Sequence, residues 1–265
     1  TFETSLFVTV IVALAASPDT PASPVTFDKG TSTQSYPSSL MGSIALLRQT
    51  YYDAKWYQNK PSTEGTNLSL EALNNNKSLA QIIVADDKWA AVRADRIGKE
   101  FGVQYIMRGG NNGYQRIDEL VKTKASFILD VDYPVTPDVE DPNDARFVSL
   151  APTNPGAFEK ANINFAFTSD MKDQKSFLPN IRKAISFGLS ESKALEALTK
   201  TPATMLGVYD QVGSLEVGKL ANFIITTENI FSANSKIVEN WISGTKYDVN
   251  ASEWNNIAGR YALAI

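Results

Sequence analysis

The chain has 265 residues, 43% of them hydrophobic, enough to bury the core of one large domain or one and a half. Its 25 basic and 29 acidic residues leave a net charge of -4 with no basic run, so the electrostatic footprint that nucleic-acid phosphates require is missing. Cysteine and histidine are both absent, which excludes disulfides, Cys- or His-ligated zinc, Cys-His pairs and Ser-His-Asp triads within this chain. Acid–base chemistry falls to Asp, Glu, Lys, Tyr, Ser or Thr, and a metal site would have to use oxygen ligands.

The stretch Ser5–Ala16 reads SLFVTVIVALAA, too short for the ~20 apolar residues of a membrane helix. The preceding TFET carries Glu3 and no Lys or Arg, against a signal peptide, and the β-branched Val8, Val10, Ile11 and Val12 predict a buried strand. The signal-like start still leaves export open beside a cytoplasmic location. Residues 18–39, rich in Pro, Ser and Thr, read as a loop. A helix capped by Ser39 follows, with an apolar stripe of Met41, Ile44, Ala45, Leu46 and Tyr52. Tyr51, Tyr52, Trp56 and Tyr57 read as core or rim. After a loop at 58–67, a short helix is expected around Ser69–Leu73.

From Leu79 the pattern becomes regular. LAQIIVA predicts a strand; Asp86-Asp87 offers a cap for a helix over 88–101, with Trp89, Val92, Arg93, Ile97 and Phe101 on one face and Gly102 as its left-handed stop. VQYIM (103–107) is the next strand, the loop RGGNNG follows, and Tyr114–Thr123 is a helix. ASFILDV (125–131) is a third strand, followed by a loop rich in Pro and Asp from Tyr133 to Asp144. Asn154-Pro155-Gly156 opens a helix to about Ala161, with Pro in the first turn. INFAFTS (163–169) is a fourth strand, followed by helices over 178–187 and 190–200, the second with an incomplete capping box at Ser190. Strand–helix alternation of this kind predicts a parallel sheet covered by helices, either a barrel or a doubly wound sheet. Residues 212–249 switch to short apolar runs between Gly and Asn turns, which predicts antiparallel strands.

That tail carries an ordered set of short motifs: Thr201-Pro202-Ala203, Leu206-Gly207, Gly213-Ser214-Leu215, Gly218-Lys219-Leu220-Ala221-Asn222-Phe223 and Ser243-Gly244. Each has a structural role on its own: Pro202 stops a helix, Gly207 and Gly213 permit turns, and Gly218-Lys219 suits a hairpin. Together they resemble the C-terminal end of the amidohydrolase superfamily, nearest to the imidazolonepropionase-like cyclic-amide hydrolases, with Asn222 where that family usually has Asp. The resemblance implies a (β/α) TIM-type barrel with a small C-terminal β-sandwich portion. It divides the chain into 1–211 for the barrel, 212–249 for the sandwich strands and 250–265 for a tail.

Upstream, Phe165-Ala166-Phe167-Thr168-Ser169-Asp170 resembles the family's last barrel strand. The resemblance makes Asp170 the catalytic residue and a metal ligand, the Asp that binds the metal and takes a proton from the attacking water. A helix-capping role is the structural alternative, and nearby Asp173 could fill it. Two other strands resemble family strands that end in metal-binding histidines, but Val84 or Ala85 and Arg108 or Gly109 stand in those places. The resemblance therefore implies a divalent metal, zinc or similar, while the composition implies none.

A complete barrel needs roughly 250 residues, and four clear strand–helix units lie between Leu79 and Lys200. The barrel is thus expected to be incomplete, finished by a missing segment or a second chain. Arg108-Gly109-Gly110 opens a Gly-rich loop between strand and helix, a candidate substrate or anion site, although it lacks the Lys-Ser/Thr of a P-loop. Asp130, Asp132, Asp138, Glu140, Asp141 and Asp144 offer oxygen ligands without EF-hand spacing, and Asp130 and Asp132 alternate with Val131 as a pair suited to acid–base work. The resemblance implies a hydrolase acting on non-peptide carbon–nitrogen bonds of small amides or cyclic amides. The composition implies instead a catalytically silent barrel that binds a ligand or partner.

Overall fold

The computed structural model describes residues 6–7, 22–25, 39–60, 65–133 and 150–250. Five parallel strands form one sheet in the order β2-β3-β4-β5-β6: β2 Ala22–Val25, β3 Ala80–Val84, β4 Tyr105–Arg108, β5 Phe127–Asp130 and β6 Phe165–Thr168. The α/β class expected from the strand–helix alternation is the one observed. The loop expected over 18–39 is corrected by β2, whose Pro24 has no N–H to donate and sits on the edge strand, where that loss is tolerated.

The helices are α1 Leu40–Gln58, α2 Leu68–Asn75, α3 Lys88–Phe101, α4 Ile117–Thr123, α5 Asn154–Lys160, α6 Phe177–Ser186, α7 Glu191–Leu198 and α8 Lys200–Met205. No helix among the described residues is long and apolar enough to cross a membrane. The faces of α1 and α3 differ from the stripes expected. In α1 the buried residues are Ser43, Leu47, Tyr51 and Ala54, while Met41 and Tyr52 are exposed. Tyr51 selects that face: its hydroxyl meets that of Tyr105 at 2.6 Å and its ring stacks on Phe101 at 4.8 Å. In α3 the small residues Ala91, Ala94 and Gly98 face inward with Ile97, and Trp89 lies outside beneath the Arg116 guanidinium. Small residues let α3 approach the sheet; a Cβ on Gly98 would fall 2.4 Å from the Val103 carbonyl oxygen.

Asp87 starts α3 by accepting from the N–H groups of Trp89 and Ala90 at 2.6 and 2.7 Å, and Gly102 ends it at φ 71°. Asp87→Ala is expected to cost about 1 kcal/mol, read as a shifted urea midpoint at constant slope. The incomplete capping box at α7 is completed from elsewhere: Ser190 accepts from Lys193, and the Ser190 N–H donates to Glu159 of α5 at 2.8 Å. Thr201-Pro202 does not stop a helix but lies inside α8, where Pro202 occupies the first turn and no intrahelical N–H is needed.

A second, antiparallel sheet has the order β1-β7-β8-β9, with β1 Leu6–Phe7, β7 Phe223–Thr226, β8 Ile237–Ile242 and β9 Thr245–Asp248. β1 is the described part of the strand expected over residues 5–16, and the remainder lies outside the described residues. The hairpin turn is Ser243-Gly244, both at positive φ, as a two-residue connection with the strand twist requires. Gly218-Lys219 makes a turn before β7 rather than a hairpin.

Between the parallel sheet and its helices lies the main core. Phe158 of α5, 1% exposed, meets Phe127 and Phe165 edge-on at 5.1 and 6.2 Å. Leu129 and Val131, both fully buried, point into this core, which sends the alternating residues of β5 the other way.

Candidate active site

The parallel strands all end at one edge, where substrate sites form in sheets of this kind. Arg108 closes β4 beside Ile128 of β5; Asp130 closes β5 beside Thr168 of β6; Asp170 lies two residues beyond Thr168. Three neighbouring strands therefore deliver Arg108, Asp130 and Asp170 to one rim. The Arg108 guanidinium donates to the Asp170 carboxylate Oδ2. The arginine side chain is 29% exposed and the aspartate 72%, so the pair leans from the sheet edge toward solvent. The Asp170 N–H is held in turn by Thr168 Oγ1 at 3.2 Å.

Asp130 is half-buried. Burial pushes its carboxyl above the usual range; the Asp132 N–H, donating to Oδ1 at 2.7 Å, opposes this, the charges of Asp132 and Asp170 add to it, and Arg108 opposes it. Behind it the Tyr133 hydroxyl is buried without a hydrogen-bond partner, and burial and the Asp130 charge both push its pKa up. Asn111 donates from Nδ2 to the Asp132 carbonyl at 3.0 Å, while its Oδ1 is buried and unpartnered. Buried polar atoms left without a protein partner are uncommon, and two of the four among the described residues adjoin Asp130 and Asp132.

The Gly-rich loop is tied to its surroundings. The Gly109 N–H donates to Ile128 at 3.0 Å, and the Gly110 carbonyl accepts from the fully buried Asn154 at 3.2 Å. Asn112 Oδ1 accepts from the Lys88 N–H at the start of α3 at 3.0 Å. Gly109 has φ 117°, and a Cβ there would meet the Ala85 carbonyl oxygen at 3.0 Å, so glycine is required where β4 leaves the sheet beside β3. The loop thus carries Arg108 to Asp170, with the Gly109 N–H and the Gly110 carbonyl used within the fold. Asp173 accepts from Lys175 N–H and Ser176 Oγ, and so takes the capping role that the sequence left open between it and Asp170.

The rim brings together Asp170, singled out by the last-strand motif, Arg108, singled out by the Gly-rich loop, and Asp130, singled out with Asp132 by their alternation. Tyr133 and Asn111, which have no periodic signal in the sequence, lie beside them through burial. Asp138, Glu140, Asp141 and Asp144 lie outside the described residues.

Residues 151–247, which contain β6 and Asp170, match the sequence pattern of the amidohydrolase family. A 37-residue stretch is 49% identical to an N-acetylglucosamine-6-phosphate deacetylase of Caenorhabditis elegans, covering 14% of this chain and 9% of that protein. Among solved structures, an amidohydrolase from Thermotoga maritima MSB8 shares the fold with a TM-score of 0.68 at 22% identity, over 79% of this chain and 56% of that one. A second crystallised amidohydrolase aligns with a TM-score of 0.50 at 14% identity, over 69% of this chain and 48% of its own. The chain therefore spans about half the length of these solved structures.

The amidohydrolase family is in general metal-dependent. Among the described residues the donor set does not fit a divalent metal: the two strand ends that resemble histidine-bearing ones offer Val84 or Ala85 and Arg108 or Gly109, none of them a metal ligand, and Asp170 is engaged by the guanidinium. Among the described residues no three His, Cys, Asp or Glu side chains converge. Residues 151–247 thus carry the sequence pattern of the amidohydrolase family, and the chain shares its fold with a solved amidohydrolase.

Proposed function

We propose that this chain belongs to a hydrolase of carbon–nitrogen bonds in small linear or cyclic amides, with its centre at the rim formed by β4, β5 and β6. The observation that carries the reading is the meeting of Asp170, inside the family-matched segment, with Asp130 and Arg108 at adjacent strand ends. Asp170, fixed by Arg108, takes a proton from water as its oxygen attacks the amide carbonyl carbon. The free N–H groups of Arg108 face the oxyanion that develops. Asp130, whose protonated form is favoured by burial, gives its proton to the leaving nitrogen as the C–N bond breaks. An acid and an amine leave, and the proton on Asp170 returns to Asp130 through solvent, so the cycle closes. The substrate is a small molecule, and the deacetylase relative, which by its name acts on an N-acetyl group, favours N-acyl amides among the candidates.

We also infer a division at residues 211 and 212, between the parallel-sheet portion and the strands β7, β8 and β9, with β1 from the first portion pairing across it with β7. The five-stranded sheet is completed toward a barrel by further strands, from another segment or a second chain, which the partial span of its solved neighbours supports.

A second reading, a silent amidohydrolase fold that binds a ligand, draws on the Arg108–Asp170 pair, which ties up the carboxylate that hydrolysis would use. Incubating the full-length protein with a panel of N-acyl and cyclic amides separates the two. Amine release above the buffer rate is the expected result. Saturable amide binding with no release would establish the silent reading instead.

A further inference from the structure

Arg108 stands at a strand end that resembles one carrying a metal ligand in the family, and it is chemically the opposite of a ligand. A guanidinium has five donors and no acceptor, so it cannot coordinate a cation, and its charge repels one. Its place in the sheet fixes where that charge acts. Arg108 is paired with Ile128, two residues before Asp130, which is level with Thr168, so its side chain crosses the end of β5 to reach Asp170 beyond β6. The guanidinium thus bonds Asp170 directly, and its charge is also felt by Asp130 at the end of the strand between them. The loop behind it is built to deliver this reach: Gly109 turns at φ 117° against the Ala85 carbonyl, and Asn154 holds Gly110.

We propose that Arg108 takes the place of a divalent metal in this chain, so that a carboxylate–guanidinium–carboxylate arrangement organises the rim. The arrangement positions Asp170 through a guanidinium, which can only donate and so always offers the carboxylate a partner. It also needs no chelatable ion to stay assembled. The inference goes beyond the hydrolytic reading and stands or falls without it.

The test uses the full-length protein, purified with and without prior exposure to Zn²⁺, Mn²⁺ or Fe²⁺ alone and then desalted. Bound metal is counted by elemental analysis, and melting is followed with and without EDTA. The expected result is below about 0.1 equivalent of any of the three metals per chain, and a melting temperature that EDTA leaves unchanged. About one equivalent of retained metal would overturn the proposal, as would a fall of roughly 5–10 °C on chelation, the size expected when a tightly bound structural metal is withdrawn. Amide turnover does not enter this measurement, so a failure here and a failure of the hydrolytic reading are told apart.

Discussion

Phe158→Ala is expected to lower the unfolding free energy by about 3–5 kcal/mol, a large share of the roughly 5–15 kcal/mol that holds a typical domain together. Phe158 is 1% exposed, and its ring fills the space between α5 and the first residues of β5 and β6. The opposite wall cannot move in to close the gap, since it is the backbone of Gly113, where even a Cβ would lie 2.7 Å from the ring. Alanine favours the helix slightly more than phenylalanine, by tenths of a kcal/mol, so the cavity dominates. Urea denaturation at constant slope measures the loss. A change below about 1 kcal/mol would show that α5 does not anchor the two strands whose far ends carry Asp130 and Asp170.

Asp130→Asn should reduce kcat/KM on a small amide by about 10²–10⁴-fold, the usual worth of a positioned acid or base, while making the fold more stable near neutral pH. Both effects follow from one cause. Burial favours the protonated carboxyl, with Asp132 and Asp170 adding to that preference and Arg108 and the Asp132 N–H opposing it. Among the described residues Tyr133 is a further titratable neighbour, and it responds to the Asp130 charge. The folded state therefore binds the Asp130 proton more tightly than the unfolded chain does. The stability this contributes is full below the unfolded pKa and is lost as pH rises through the higher folded one. Asparagine keeps the Oδ1 acceptor for the Asp132 N–H and removes the charge. Its stabilising effect should be present above the folded pKa and vanish in acid. Melting temperatures of both proteins across pH check the sign, and a variant less stable than wild type at neutral pH would contradict it.

How much of this could be read beforehand depends on how local each signal is. The bounds of α3 follow from Asp87, Gly102 and the apolar spacing, all within one helix length, and the structure keeps them. Its buried face could not be read the same way. Large side chains mark hydrophobicity, but close packing on the sheet selects Ala91, Ala94 and Gly98 and leaves Trp89 outside. β2 was hidden because a proline suits an edge strand as well as a loop, and only its pairing with β3 decides. At the rim, Asp170 was legible from the motif around it. The Arg108 contact, 62 residues away in sequence, required the register of three strands. Tyr133 and Asn111 gain their meaning from burial next to Asp130, which no local pattern announces.

Amide hydrolysis by the strand-end carboxylates Asp130 and Asp170 requires that both be present for turnover. Its most direct test is kcat/KM on one small N-acyl amide for the wild type, Asp130→Asn, Asp170→Asn and Asp173→Asn, the last being an exposed capping residue at the same edge. The account predicts losses of about 100-fold or more for the first two variants and an unchanged value for the third. Equal rates in all four proteins, or no turnover by the wild type, would contradict it.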